Sequence, residues 1–552
     1  MKKNIRRFTA IALIATAGYF SLAFTENYFE ISKNLEIFTS LYKQLNIYYV
    51  DETKPGDLMK TSIDAMLKSL DPYTVYYPES KIEDYRFMTT GQYGGIGALI
   101  NTIDGEVTIT EPYEGFAAHK AGLKAGDIIK QIDGKEISDL NQEEISSLLK
   151  GQAGTDVKLE IKRPSEKDNL TISFKREEVK IPDVPYYGML DEEVGYIALS
   201  SFTKTASQEV QAAFMDLRDK QGMKKLVFDL RGNGGGLLRE AINIVNLFVP
   251  KGTEIVSTKG KLNEWNEMRS GLNEPLDLEM PLIVLVNGSS ASASEIVSGA
   301  LQDLDRALVL GQTTFGKGLV QQTKDLEYNA KLKLTVAKYY IPSGRCIQKL
   351  DYSHRDEFGN VIEVPDSLIK PFYTKNGRPV FDGRGVYPDV VVDDENLSNI
   401  LNGLLSNHIV FKYATDYASS HSEIAKPNTF DLGNDGFSVF KEYAEAKPFE
   451  YDTRTEYLLE KLKETAKNEQ YFDDAEQAFE NLMAEMAPNK SRDLQKFRDQ
   501  IEFVLEEEIV SRFYYQKGAI EYQLAHDNYI DKAKLVFNET YFKLLTGPEA
   551  KN

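Results

Sequence analysis

Cysteine is almost absent. Among 552 residues there is one, Cys346, so no intrachain disulfide can form and the fold must rest on buried cores. Histidine is scarce too, with five residues scattered at 119, 354, 408, 421 and 526. No HExxH, CxxC or comparable ligand spacing occurs, so neither a metal nor another cofactor is expected. Cys346 has no histidine near it in sequence and reads as structural rather than nucleophilic. Positive charge is in deficit: 65 Lys and Arg stand against 85 Asp and Glu, a formal net charge of −20. That argues against a nucleic-acid partner, which needs a cationic surface. No Gly-Lys-Ser/Thr follows a glycine loop, which argues against a nucleotide P-loop. What remains is a globular composition, 42% hydrophobic and 27% charged, and enough length for three or four domains.

The first residues are unlike the rest. Lys2, Lys3, Arg6 and Arg7 precede an uncharged run over residues 8–24. A basic start and an apolar run make an export signal. The run is also near the lower limit of a membrane span, so a cleaved signal and an uncleaved anchor both stay open. Either way the chain is expected outside the cytoplasmic membrane, in the periplasm or cell envelope.

Residues 26–87 carry helical periodicity at Leu35, Phe38, Leu41 and Leu45, and again at Leu58, Ile63, Met66 and Leu67. They predict a small helical cap packed on its neighbours, ending at Leu70-Asp71-Pro72. Residues 88–178 change character. Glycines crowd Gly91-Gln92-Tyr93-Gly94-Gly95-Ile96-Gly97-Ala98, and a strand pattern follows. Such a turn leaves backbone N–H groups bare toward an anionic group, as when a peptide carboxylate is held and the peptide adds as a strand. His119, beside Lys120-Ala121-Gly122, reads as an ordinary exposed or helix-end residue. Residues 179–395 alternate strands and helices as an α/β core. Strands are predicted at 194–199, 225–230, 282–286, 307–310 and 331–340, with residues 350–380 irregular. Residues 396–552 are patterned for helices, with no chemistry evident.

Two stretches of the core carry reactive groups. Arg231-Gly232-Asn233-Gly234-Gly235-Gly236 lies between a strand and a helix, where bare N–H groups favour negative charge. Residues 287–322 hold a hydroxyl-rich helix start, then Phe315-Gly316-Lys317-Gly318. A serine needs a base. His354 is the one histidine between 180 and 400 and has no evident partner, whereas a lysine in a dry turn can serve once desolvation disfavours its ammonium. Ser289, Ser290, Ser292 and Ser294 are all candidates, and local pattern does not choose among them.

Residues 88–178 resemble a PDZ domain, on Gly95-Ile96-Gly97-Ala98, the Ala117–Ile129 segment and Asp133-Gly134. Residues 26–395 resemble the C-terminal processing peptidases of the S41 type. The matching motifs are Leu70-Asp71-Pro72-Tyr73-Thr74, Asp229-Leu230-Arg231 with its glycines, Ser292-Ala293-Ser294-Glu295, Phe315-Gly316-Lys317-Gly318 with Gln321, and Gly385-Val386-Tyr387-Pro388-Asp389. Relatives often carry Asn and Pro where this loop has Gly232 and Gly234. The resemblance implies a multidomain α/β protein: an N-terminal helical region, a PDZ-like module, a crotonase-like serine peptidase core and a C-terminal helical extension. It implies Ser292 as nucleophile, Lys317 as base, Gln321 orienting the lysine, and an oxyanion hole from the N–H groups of Ala293 and Gly235, with Gly234 or Gly236 in reserve. Gly95, Ile96, Gly97 and Ala98 would take a substrate's tail carboxylate. The partners implied are polypeptides with exposed C-terminal tails, with a homo-oligomer left open. A non-catalytic PDZ scaffold on a peptidase-like core is the alternative, and the intact serine, lysine and glutamine set speaks against it.

Overall fold

The computed structural model describes residues 28–393 and 397–547. The expected signal or anchor lies outside them. Among the described residues no helix is long and apolar enough to cross a membrane. The chain divides into two compact units, Met1–Tyr77 with Thr323–Leu334, and Pro78–Gln322 with Thr335–Asn552.

In the first unit, residues 28–48 are helical. A second helix, Pro55–Lys68, starts on a proline, where a missing N–H costs nothing. The carboxylate of Asp71 accepts from the amides of Tyr73 and Thr74, fixing the expected turn. The strand Val75–Tyr77 pairs antiparallel with residues 331–333. Leu35, Phe38, Leu41 and Leu45 lie on the first helix, as their spacing predicts. Periodicity sets the conformation of a segment, not what covers it.

The second unit begins with a small β module. Strands β1 (Gln92–Gly95), β2 (Ala98–Ile103), β3 (Glu106–Pro112), β4 (Ile128–Ile132), β5 (Asp156–Lys162), β6 (Leu170–Lys175) and β7 (Glu177–Lys180) surround helix α1 (Gln142–Leu149). In β5, Val157, Leu159 and Ile161 are buried in alternation, the period of a half-buried strand. Asn141 caps α1, and Glu144 returns a bond to the Asn141 amide. The main sheet runs β2-β3-β4-β5-β6, which makes β2 an end strand. β7 pairs back on β1 and closes the module.

Next comes a six-stranded sheet: β8 (Tyr186–Met189), β9 (Val194–Ala198), β10 (Lys225–Asp229), β11 (Leu282–Val286), β12 (Leu308–Gly311) and β13 (Val390–Val391), in that spatial order. All neighbours are parallel except β8 and β9. Every residue of β11 is buried, as a parallel strand covered on both faces requires. One face packs on helices α2 (Ala206–Gln221), α3 (Leu238–Asn246) and α4 (Ala293–Asp303). The other cover comes from the far end of the chain: Tyr529, Ile530, Ala533, Val536 and Phe537 lie against Tyr196, Val227, Ile283 and Leu310. The C-terminal extension thus completes the core as well as building its own. Residues 350–381 are not irregular but hold two short hairpins, Leu350–Arg355 with Val361–Glu363 and Pro371–Tyr373 with Pro379–Phe381. Strands this short carry too few residues to show a period. The strand Glu254–Gly260, unmarked in the sequence reading, pairs with residues 337–340.

The extension buries Ile400, Leu404, Phe440, Leu505 and Ile509. Its long helix α5 (Arg498–Ala525) breaks at Tyr515, where φ is 55° and ψ −161°. His119 is a helix-end residue, in the last turn of the short helix Ala117–Lys120, and is half-buried. Its Nδ1 accepts from the Gly115 amide at 3.0 Å, so the ring proton sits on Nε2, 2.9 Å from the Tyr515 hydroxyl, and ties the β module to α5.

Burial and the neighbouring Glu508 push the Glu507 carboxyl of α5 up to about 7. A carboxyl raised above its unfolded value of about 4.3 lends stability below that value and loses it as pH rises through 7. Glu507→Gln is therefore expected to leave stability at pH 4 nearly unchanged and to raise it by about 3 kcal/mol at pH 8 relative to wild type. Urea unfolding midpoints at the two pH values check this, and equal shifts at both would contradict it.

Candidate active site

Both reactive stretches leave the sheet at carboxyl ends of parallel strands, the usual place for a site in an open α/β sheet. The glycine loop follows β10 and the serine loop follows β11. Asn287, Ser290 and Asn233 bolt the two together. Asn287 Oδ1 accepts from the Gly232 amide at 3.0 Å, and the Asn233 carbonyl accepts from the Ala291 amide at 3.0 Å.

The hydroxyls in this loop have different fates. Ser290 is fully buried and donates to the Leu230 carbonyl at 2.8 Å. Ser294 is fully buried and donates to the Asn233 carbonyl at 2.8 Å. Both are structural pins with their protons committed. Ser289 is exposed, in the turn that follows β11. Ser292 is half-buried and precedes α4 with φ 56° and ψ −109°. A non-glycine residue held at positive φ at the head of a helix is a strained placement of the kind that clusters at functional sites. Its neighbour Ala293 opens the helix, and a first-turn amide has no carbonyl four residues back to bond.

Glu295 joins this serine to the lysine. Its side chain is fully buried. Oε2 accepts from the backbone N–H of Ser292 and from that of Lys317, each at 2.8 Å. Oε1 accepts from the Gly316 amide at 2.7 Å and the Thr314 hydroxyl at 2.5 Å. One oxygen therefore holds both main chains, which places the Ser292 and Lys317 nitrogens no further apart than twice that distance. Burial pushes the Glu295 carboxyl up, and the four donors pull it back. The lysine turn is pinned on its other sides as well. The Phe315 amide donates to the Ser290 carbonyl at 3.0 Å and the Gly318 amide to Gln348 Oε1 at 2.7 Å. Below them the buried Tyr339 hydroxyl donates to the Ser292 carbonyl at 3.1 Å. The Ser-x-x-Glu spacing from 292 to 295 is a capping-box signature that could have singled out Glu295 in advance.

Gly235 lies against the serine. A Cβ there would be 2.7 Å from the Ala291 carbonyl oxygen, 2.9 Å from the Ala293 nitrogen and 2.9 Å from Ser292 Cβ. Its own amide, however, donates to Asn233 Oδ1 at 2.8 Å, so the N–H expected at the oxyanion is bonded within the loop here. The parallel bridge of Phe202 to Gly236 uses the Gly235 carbonyl and the Leu237 amide, which leaves the Gly236 amide outside it. Gln321 lies on the strand Leu319–Asp325 and donates from Nε2 to Thr335 Oγ1 at 3.2 Å.

The residues expected to take a tail carboxylate, Gly95 to Ala98, form the corner between β1 and β2. Gly95 ends β1 and Ala98 opens the end strand. Ile96 is buried, with its carbonyl on the Ala118 amide at 2.8 Å. Gly97 has φ +73°, and a Cβ there would sit 2.6 Å from Phe116 Cβ, so only glycine fits. The outer edge of β2 is the place where a peptide strand can add. Elsewhere, Cys346 is held by burial, which pushes its thiol up. His354 does have partners: its Nδ1 lies 2.8 Å from Asp351 Oδ2 and 3.2 Å from Ser353 Oγ. That trio is no nucleophile set, because the Ser353 hydroxyl donates to Asp351 at 2.5 Å and the ring is largely exposed.

A sequence model of peptidase family S41 matches residues 193–353, a PDZ domain model matches residues 108–163, and one described as a probable PDZ-protease C-terminal helical domain matches residues 400–537. The chain is 40% identical over 328 residues to a carboxy-terminal-processing protease of Bartonella bacilliformis, covering 59% of this chain and 75% of that one. It is 35% identical over 332 residues to the carboxy-terminal processing protease CtpA of Bacillus subtilis, covering 60% and 69%. Among solved structures, the photosystem II D1 C-terminal processing protease is similar at 28% identity with a TM-score of 0.35, covering 65% of this chain and 93% of that one.

Proposed function

Since the chain belongs to the carboxy-terminal-processing serine proteases of family S41 and carries a PDZ domain, we propose that it is a Ser–Lys endopeptidase that cuts exported polypeptides held by their C-terminal tails. The observation that carries the reading is the Glu295 carboxylate. It bonds the main chains of Ser292 and Lys317 through one oxygen, beside the glycine loop. In this reading neutral Lys317 takes the Ser292 hydroxyl proton as Oγ adds to the scissile carbonyl. The oxyanion falls to the Ala293 amide and one amide of the glycine loop. With the Gly235 N–H on Asn233, either that bond opens during turnover or the Gly236 amide serves instead. Lys317 then protonates the leaving amine, and water releases the acyl group from Ser292. Gln321 orients the lysine from its place beside Thr335. The basic, then apolar, N-terminus supports a periplasmic or envelope location, with the first segment either removed or kept as an anchor.

The tail requirement can be tested alone. An unfolded substrate with a free C-terminal carboxylate is expected to be cut at least about tenfold faster, in kcat/KM, than the same chain ending in an amide, because the β1–β2 corner loses its anionic partner. Gly97→Val is expected to remove the difference. Equal rates on both substrates would sink the tail-capture part of the proposal.

A further inference from the structure

The C-terminal extension meets the glycine loop at Arg231. Arg231 starts the glycine loop, two residues past the end of β10. Asp229 grips it from one side: Nε lies 3.1 and 3.0 Å from the two carboxylate oxygens and Nη2 lies 2.6 Å from Oδ2. The same carboxylate accepts from the Arg231 amide and the Tyr196 hydroxyl, each at 2.8 Å. From the other side Asp527 Oδ2 accepts from Nη2 at 2.6 Å. Asp527 stands 296 positions away in sequence and is the N-cap of helix α6 (Asn528–Glu539). Its second oxygen holds the Tyr529 amide at 2.8 Å. The Tyr529 ring forms the floor, 4.7 Å from the guanidinium carbon. Both carboxylates are nearly buried, so the pairing acts where water screens it little.

We propose that Asp527, backed by Tyr529, is a positioning residue for the oxyanion loop, so that the C-terminal helical domain completes the active site. The loop itself offers little to hold it. Gly232, Gly234, Gly235 and Gly236 have no side chains to pack, so its register depends on Asn233, on the Gly232 bond to Asn287 and on where Arg231 is anchored. Asp229 fixes Arg231 to its own strand end. Asp527 fixes it to a helix that covers the opposite face of the sheet from α4. A guanidinium held between two carboxylates and a ring has one position, and the Gly235 approach to Ser292 inherits it. A planar fork suits this double grip, and a lysine could not reproduce it. The inference rests on the peptidase reading for its kinetic consequence but not for its structural one.

Asp527→Asn separates positioning from folding, because an asparagine oxygen still caps α6 while the negative charge that faces Arg231 is lost. Thr453→Ala, which removes the cap of the Arg454–Asn468 helix, serves as a stability control. In the full-length protein, Asp527→Asn is expected to lower kcat about tenfold or more with KM within twofold. A peptide aldehyde, which mimics the tetrahedral adduct, should lose affinity in the same proportion. Thr453→Ala should change neither. Hydrogen exchange read over residues 230–238 should speed up in Asp527→Asn while the β11 segment stays protected. Unchanged exchange in that segment would overturn the clamp whether or not the protein cuts peptides. So would a wild-type kcat in Asp527→Asn, or an effect confined to KM. A wild type without cleavage would count against the peptidase reading, and the exchange result would still decide the clamp.

Discussion

Ser292→Ala should abolish cleavage of an unfolded tailed polypeptide, lowering kcat by about 10⁴-fold or more while the protein stays folded. The hydroxyl is half-buried and makes no pin of the kind that Ser290 and Ser294 make, so alanine removes little but the nucleophile. Lys317→Ala should cost a similar factor, since no histidine stands ready to replace the base. The double variant should be no worse than the weaker single one, because the two residues act as a unit. Ser294→Ala, in contrast, should lower stability by about 1 kcal/mol through its lost bond to Asn233 and leave most of kcat. The ordering by steady-state kinetics and thermal melts distinguishes a nucleophile from a structural hydroxyl two residues away. If Ser294→Ala were inert and Ser292→Ala active, the assignment would fall.

Gly235→Ala should be nearly as damaging for a different reason. The residue has φ +99°, and its added carbon would meet a carbonyl oxygen, an amide nitrogen and the Ser292 Cβ, all within 3 Å. Two of these are backbone, so neither can swing aside. The loop must back away from the serine, and the amides meant for the oxyanion go with it. A loss of about 10²–10³ in kcat is expected, the scale of one missing oxyanion donor. Gly288→Ala is the matched control in the same pair of loops. Its Cβ would meet nothing within 4 Å and its backbone is unstrained, so its kcat should stay within a few-fold of wild type. Equal activity in both variants would show that the Gly235 approach plays no part.

The elements that could be read from the sequence are those whose signal is local. Leu282–Val286 is an unbroken apolar run, and a strand buried on both faces is what such a run makes. Residues 331–336 alternate polar and apolar, and Lys331–Tyr340 is a strand. The glycine loop and the Gly-Lys-Gly turn announced themselves by composition. The choice among four serines was not legible, because it depends on which hydroxyls reach carbonyls at Leu230 and Asn233, some sixty positions away. The second cover of the sheet was not legible for the same reason. Tyr529 and Phe537 show a helical pattern, but nothing in it says which surface they meet. The Asn233 bond that occupies the Gly235 amide is local and still invisible, since composition shows a flexible loop and not the direction of one N–H.

The most direct test is to trap the acyl-enzyme. Wild-type protein turning over an activated ester of a tail peptide, quenched in acid, should gain one acyl mass, and peptide mapping should place it on Ser292. Lys317→Ala should gain it far more slowly, and Ser292→Ala not at all. An adduct on Ser289, Ser290 or Ser294, or turnover with no adduct in any quenched sample, would contradict a Ser292–Lys317 peptidase.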